Sequence, residues 1–140
     1  MKEKYGNIRR VFIEGEKPQV FDRATRTAYM DFTADTQTRT ETVKGKETTV
    51  EVEGFSGFTV SVDGLLDYGH LKSQLIEAGY PQKEEHALAF NTIDALLKKV
   101  DGEELTEAEE ADIKAYKEFS EYRSICANCA KAILNQVFNS

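Results

Sequence analysis

At Asp63-Gly64 the spacing of the apolar residues changes. Before this pair apolar and polar residues alternate, which is the period of a half-buried strand. After it, apolar residues recur every three or four positions, the period of one helix face. A chain of 140 residues that changes period once is expected to lay a sheet and a helical layer around one core. The fold class predicted is α+β: an N-terminal antiparallel β-sheet, hairpin-rich and sandwich-like, then a C-terminal three-helix layer. One domain is expected, with residues 1–64 as its β-rich half and residues 65–140 as its helical half.

In the first half, Val11, Phe12 and Ile13 form a short apolar run closed by Glu14-Gly15. A longer run spans Ala28 to Val43. There Met30, Phe32 and Ala34 alternate with Asp31, Thr33 and Asp35, and the alternation continues as Thr36, Thr38, Thr40 and Thr42. Threonine is β-branched and suits a pleated surface, but this end has little to bury. Lys44-Gly45-Lys46 reads as a turn, because glycine takes positive φ without penalty. Thr48 to Glu53 returns as a strand, Gly54 to Gly57 is expected to break it, and Phe58, Val60 and Val62 resume the alternation.

In the second half, Asp67 is placed to cap a first helix, with Leu71, Leu75 and Ala78 on its inner face and Gly79 and Pro81 as its stop. A second helix is predicted over residues 82–100, with His86, Phe90, Ile93, Leu97 and Val100 as its inner stripe. Thr106 and Glu109 have the spacing of a capping box and open a third helix. Its stripe runs through Ala108, Ala111, Ala115, Phe119, Tyr122, Cys126, Cys129, Ile133 and Val137.

The chemistry-bearing residues are few. Cys126 and Cys129 are spaced for half a zinc site or for thiol exchange, but no second cysteine pair accompanies them. They lie deep in a helix on its apolar stripe and are expected to be small core residues. His70 and His86 have no nucleophile or carboxylate set beside them by any pattern. Residues 101–110 lack the alternating oxygen ligands of a calcium loop, and Gly54 to Gly57 lacks the lysine of a phosphate loop. No catalytic residue, metal or cofactor is expected, and an enzyme is not.

Net charge is -7, which opposes direct binding to nucleic acid. The acidity belongs to the second half, with 14 acidic against 8 basic residues from Leu65 onward. Met1 to Tyr5 lead into no apolar run, so no secretion signal is expected, and no segment is long and apolar enough for a membrane span.

The segment AYMDFTADTQTRTETVKGKETTVEVEGFSGFTVSVDGL, residues 28–65, resembles the central region of long-tailed bacteriophage tail tube (major tail) proteins. The matching residues are Ala34-Asp35-Thr36, the threonine run, Gly54 to Gly57, and Thr59 to Leu65. The resemblance implies a β-sandwich subunit that stacks as rings into a hollow tube with an acidic lumen, its long hairpin making ring-to-ring contacts. It places an assembly surface on Thr36, Thr38, Arg39, Thr40, Lys44, Lys46, Glu51 and Glu53, with Phe55 at the margin. The chain departs from the family after Leu65, where helical residues stand in place of further strands.

The expected function is that of a non-enzymatic structural protein of a phage virion or tail, self-associating through this hairpin. Its expected partners are itself and other assembly proteins, without sequence-specific nucleic acid and without a membrane, in a virion or host cytoplasm. The alternative is a small α+β interaction domain that captures a protein through the acidic helical face of Glu103, Glu104, Glu107 and Glu110.

Overall fold

The computed structural model describes residues 8–139; Met1 to Tyr5, read above for a secretion signal, lie outside them. Four strands come first: β1 (Arg9–Glu14), β2 (Phe21–Asp22), β3 (Thr27–Val43) and β4 (Lys46–Ser61). Three helices follow: α1 (Tyr68–Gly79), α2 (Gln82–Val100) and α3 (Glu107–Phe138). The strands form one antiparallel sheet in the order β1-β4-β3-β2. The fold is α+β, with its sheet N-terminal and its three helices C-terminal. The sandwich that the tail tube resemblance implies does not form: among the described residues there is one sheet, and helices cover its apolar face.

That face carries Ala28, Met30, Phe58 and Val60, which join one buried cluster with Leu71 and Leu75 of α1 and with Phe119, Tyr122, Cys126, Ala130 and Ile133 of α3. At 32 residues, α3 is the spine of the helical layer and meets α1, α2 and β3. The Tyr122 hydroxyl crosses from α3 to donate to the Leu75 carbonyl at 2.5 Å, satisfying a buried polar group.

The switch at Asp63-Gly64 is held by side chains from both halves. Gln74 on α1 accepts from the Asp63 amide at 2.7 Å and donates to the Asp63 carbonyl at 2.5 Å. Arg26, in the turn just before β3, donates to the Val62 carbonyl at 3.0 Å and the Gly64 carbonyl at 2.6 Å. Gly64 has a φ of 78°, a conformation favourable to glycine. The predicted caps form as well: the Asp67 carboxylate accepts from the His70 amide, and Thr106 with Glu109 makes a reciprocal capping box.

Four local expectations are corrected. Gly54 to Gly57 does not break β4, which runs through it; Gly54 pairs with Glu14 and Gly57 with Val11. A β-carbon at Gly54 would meet the Ile13 carbonyl at 2.2 Å, and one at Gly57 the Phe32 ring at 2.5 Å. These glycines therefore mark close approaches within a strand. The alternation of Met30 with Phe32 fails at a bulge between Met30 and Thr33, where Asp31 has a φ of 54°. The extra residue turns Phe32 onto the opposite face of the sheet, beside Tyr29 and over Gly57.

The third correction concerns α2. Its predicted inner stripe is the outer one: Phe90, Ile93, Leu97 and Val100 are exposed, and His86 is too. The helix instead buries Thr92 and Ala95, with Leu88 packed against the core. Finally, Ala108 and Ala111 at the start of the α3 stripe are exposed, because the buried cluster on α3 begins at Phe119.

Candidate functional site: the hairpin arm

β1 pairs with β4 from Thr59 only as far as Gly54, and β2 pairs with β3 only at Ala28 and Thr27. Beyond those points β3 and β4 continue alone. From Thr36↔Glu53 to Val43↔Lys46 they form eight cross-strand pairs, an arm about 25 Å long at roughly 3.3 Å per residue. The tip is a two-residue turn in which Lys44 (φ 53°) and Gly45 (φ 77°) both take positive φ. Turns of this type match the right-handed twist of long hairpins.

The arm has two different faces. Thr36, Thr38, Thr40 and Thr42 lie on one, paired with Glu53, Glu51, Thr49 and Glu47. That face holds three carboxylates and no cation, and at the root it continues into Phe55, opposite Ala34. The other face carries Gln37, Arg39, Glu41 and Val43 opposite Val52, Val50, Thr48 and Lys46. Of the arm's side chains only Val52, at 9% exposure, is buried, and Val50 is half-buried. Arg39 reaches Glu14 and Glu41 at 3.5 Å each, exposed pairs that contribute little.

At the root, Ser56 is buried and donates to Asp35 Oδ2 at 2.5 Å, while the Thr36 amide donates to Asp35 Oδ1 at 2.8 Å. The Ser56 bond above all, then the Thr36 amide, holds the Asp35 carboxyl below its ordinary value. An open cleft of about 560 Å³ lies here, lined by Gly15, Asp35, Thr36, Glu53, Gly54 and Phe55.

The sheet's edges are treated unequally. The outer edge of β2 is closed by Gln136 of α3, which accepts from the Phe21 amide at 3.2 Å and donates to the Phe21 carbonyl at 2.7 Å. Among the described residues neither β1 nor β2 extends along the arm, and past the Gly15 amide, which donates to the Glu53 carbonyl at 3.1 Å, neither outer edge has a strand neighbour. A row of open amides and carbonyls is a template for pairing with another strand.

The nine residues expected to form an assembly surface are all on or beside this arm. Thr36, Thr38, Thr40, Glu51, Glu53 and Phe55 share one face, Arg39 and Lys46 take the other, and Lys44 sits in the turn. The root was not foreseen: nothing in the sequence announces the Ser56–Asp35 bond, because its partners are brought together only by strand register.

Other candidates are placed differently. Cys126 and Cys129 are buried in the core, and burial pushes both thiols up to about 12. His70 Nε2 lies 2.8 Å from the Asp63 carbonyl, part of the switch between the two halves. Glu103, Glu104, Glu107 and Glu110 are all exposed around the start of α3. Among the described residues no helix is long and apolar enough to cross a membrane. No protein-family model, curated protein or solved structure matches the chain.

Proposed function

We propose that this chain is a non-enzymatic structural subunit, of the kind built into phage tails and virions, that joins copies of itself through the β3–β4 arm. The observation that carries the reading is the arm itself: eight rungs, exposed apart from Val52 and the half-buried Val50, and without a strand neighbour on either edge among the described residues. A two-stranded ribbon is marginal alone in water and gains most from a third strand. Strand addition supplies main-chain hydrogen bonds for affinity and alternate side chains for register. The threonine face suits such a role, since it is β-prone and uncharged along β3. The similarity of residues 28–65 to tail tube proteins supports the same reading.

Light scattering after size exclusion over a concentration series, with negative-stain microscopy of the same samples, tests it. Growth into rings, tubes or larger oligomers is expected. Adjacent strand residues point their amides to opposite edges, so one of Arg39→Pro and Thr40→Pro removes an outward donor while sparing the β3–β4 ladder. That variant is expected to abolish growth. A particle of one size at every concentration, in wild type and both variants, contradicts the proposal.

A further inference from the structure

The two ends of the strand order are protected differently. Gln136 of α3 closes the outer edge of β2. The outer edge of β1 has none of the devices that keep edges from pairing: Arg9–Glu14 contains no proline, lysine or bulge, and no other strand among the described residues pairs with it. Val11, Phe12 and Ile13 at its centre are β-prone and only half-buried. Register fixes which backbone groups are open. The Gly15 amide bonds the Glu53 carbonyl, so at every second residue Ile13, Val11 and Arg9 also turn their backbone groups to β4. Arg10, Phe12 and Glu14 turn theirs outward.

We propose that this edge pairs antiparallel with β1 of a second copy, about a two-fold axis through Phe12 perpendicular to the sheet. The strand's own sequence selects that occupant. Such an axis keeps every side chain on its own face, so only residues of one face stand opposite each other. Phe12 then meets Phe12 of the second copy, and Arg10 meets Glu14 on either side of it. On the other face Val11 meets Ile13, twice. Aromatic, apolar and opposite-charge pairs are the cross-strand combinations that stabilise sheets, and each outward amide of one copy meets an outward carbonyl of the other. One step of register either way sets Arg10 on Phe12, or Phe12 on Glu14.

Both charges are accessible. Arg10 is exposed, with its guanidinium 5.4 Å from the centroid of the Phe58 ring. The Glu14 side chain is 59% exposed and has Arg39 at 3.5 Å, on the side toward β3; Arg10 of the second copy approaches from the opposite side. The arm of a second copy fits this edge less well. Its β4 turns Glu47, Thr49 and Glu51 outward, so setting Arg10 on Glu51 sets Glu14 on Glu47. Its β3, with Val43 and Lys46 closing the turn, turns only threonines outward.

This contact does not rest on the arm. A two-fold contact closes on itself, whereas strand addition through arms extends. A subunit with both makes dimers through β1, each a continuous sheet with its helices on one face, and links them through β3 and β4.

Sedimentation equilibrium of the full chain between about 5 and 500 μM, a span suited to a small interface, tests the proposal. The mass is expected to reach twice the 15.8 kDa of one chain, and the arm variants Arg39→Pro and Thr40→Pro are expected to keep this step. Arg10→Glu and Glu14→Arg each set like charges opposite and are expected to weaken it about tenfold, with circular dichroism unchanged because both side chains are exposed. Mixing these two chains restores opposite charges at both pairs and is expected to give a heterodimer. Arg10→Pro, which removes an outward donor and spares the β1–β4 ladder, is expected to abolish the step. Amide exchange reads the register: Arg10, Phe12 and Glu14 are expected to gain protection on concentration, while Val11 and Ile13 are protected throughout. The outcomes that overturn the proposal are a monomer throughout, a dimer indifferent to the β1 variants or lost with the arm variants, mixed chains that do not pair, and a dimer whose Arg10, Phe12 and Glu14 amides exchange as in dilute protein.

Discussion

Gly79→Ala reverses the sign that helix propensity alone gives. Gly79 is the last residue of α1 and lies in helical backbone, where alanine is better than glycine by about 0.5–1 kcal/mol. A β-carbon there, however, would meet Tyr122 at 2.5 Å from Cζ, 2.6 Å from Oη and 2.8 Å from Cε2. All three contacts are with one ring, and that ring cannot swing away: Tyr122 is 1% exposed, its hydroxyl is bound to the Leu75 carbonyl, and Tyr80 lies against it with centroids 5.4 Å apart. Relieving the overlap means shifting a packed side chain, at about 1–3 kcal/mol, and stretching a buried hydrogen bond that contributes about 1 kcal/mol. Set against the propensity gain, the net loss is about 2 kcal/mol. For a domain of this size that lowers Tm by about 7 °C, measured by thermal circular dichroism. The control is the double-mutant cycle with Tyr122→Leu, which removes the ring. In that background Gly79→Ala is expected to be neutral or stabilising, a coupling typical of residues in contact. An unchanged or raised Tm for Gly79→Ala alone refutes the packing of α1 on α3 described here.

Two further predictions follow from the core and the arm root. Burial raises the Cys126 and Cys129 thiols to about 12, which leaves about one thiolate in ten thousand at pH 8, so native labelling by a disulfide reagent is expected to be over a thousandfold slower than in denaturant; rapid labelling of both in the native state contradicts their place in the core. Asp35 has a folded pKa below its ordinary 3.8, so its contribution to the arm root is present above the unfolded pKa and lost as pH falls through the folded one. Ser56→Ala removes the largest cause, and the Asp35 midpoint, followed by carboxyl NMR, is expected to rise; an unmoved midpoint contradicts the Ser56 bond.

Local signals in the sequence suffice wherever one neighbour decides the structure. The Asp67 cap, the Thr106–Glu109 box and the Leu71, Leu75 and Ala78 face of α1 each depend on residues within a turn or two. The hairpin was legible for the same reason: strict alternation around Lys44-Gly45 leaves one pairing. What was not legible depended on distant partners. Periodicity found the stripe of α2 but not its direction, because a helix with two apolar faces satisfies the pattern whichever one meets α3. Gly54 and Gly57 read as a break, since only the packed sheet reveals Ile13 and Phe32 above them. The bulge at Asp31 reversed Phe32 without any glycine to announce it. The sequence names the nine candidate residues as a set, while their division between an acidic threonine face and a valine-bearing face follows from register.

The most direct test of an arm that joins copies is amide hydrogen exchange resolved over residues 36–43 and 46–53, in dilute and in concentrated protein. In dilute protein the outward-facing amides of both strands are expected to exchange quickly, because no neighbouring strand receives them. On concentration the same amides are expected to become protected at least about tenfold, while amides of α1 and α3 keep their rates. Arm amides that exchange identically at every concentration, in samples that scattering shows to be associated, contradict joining through β3 and β4.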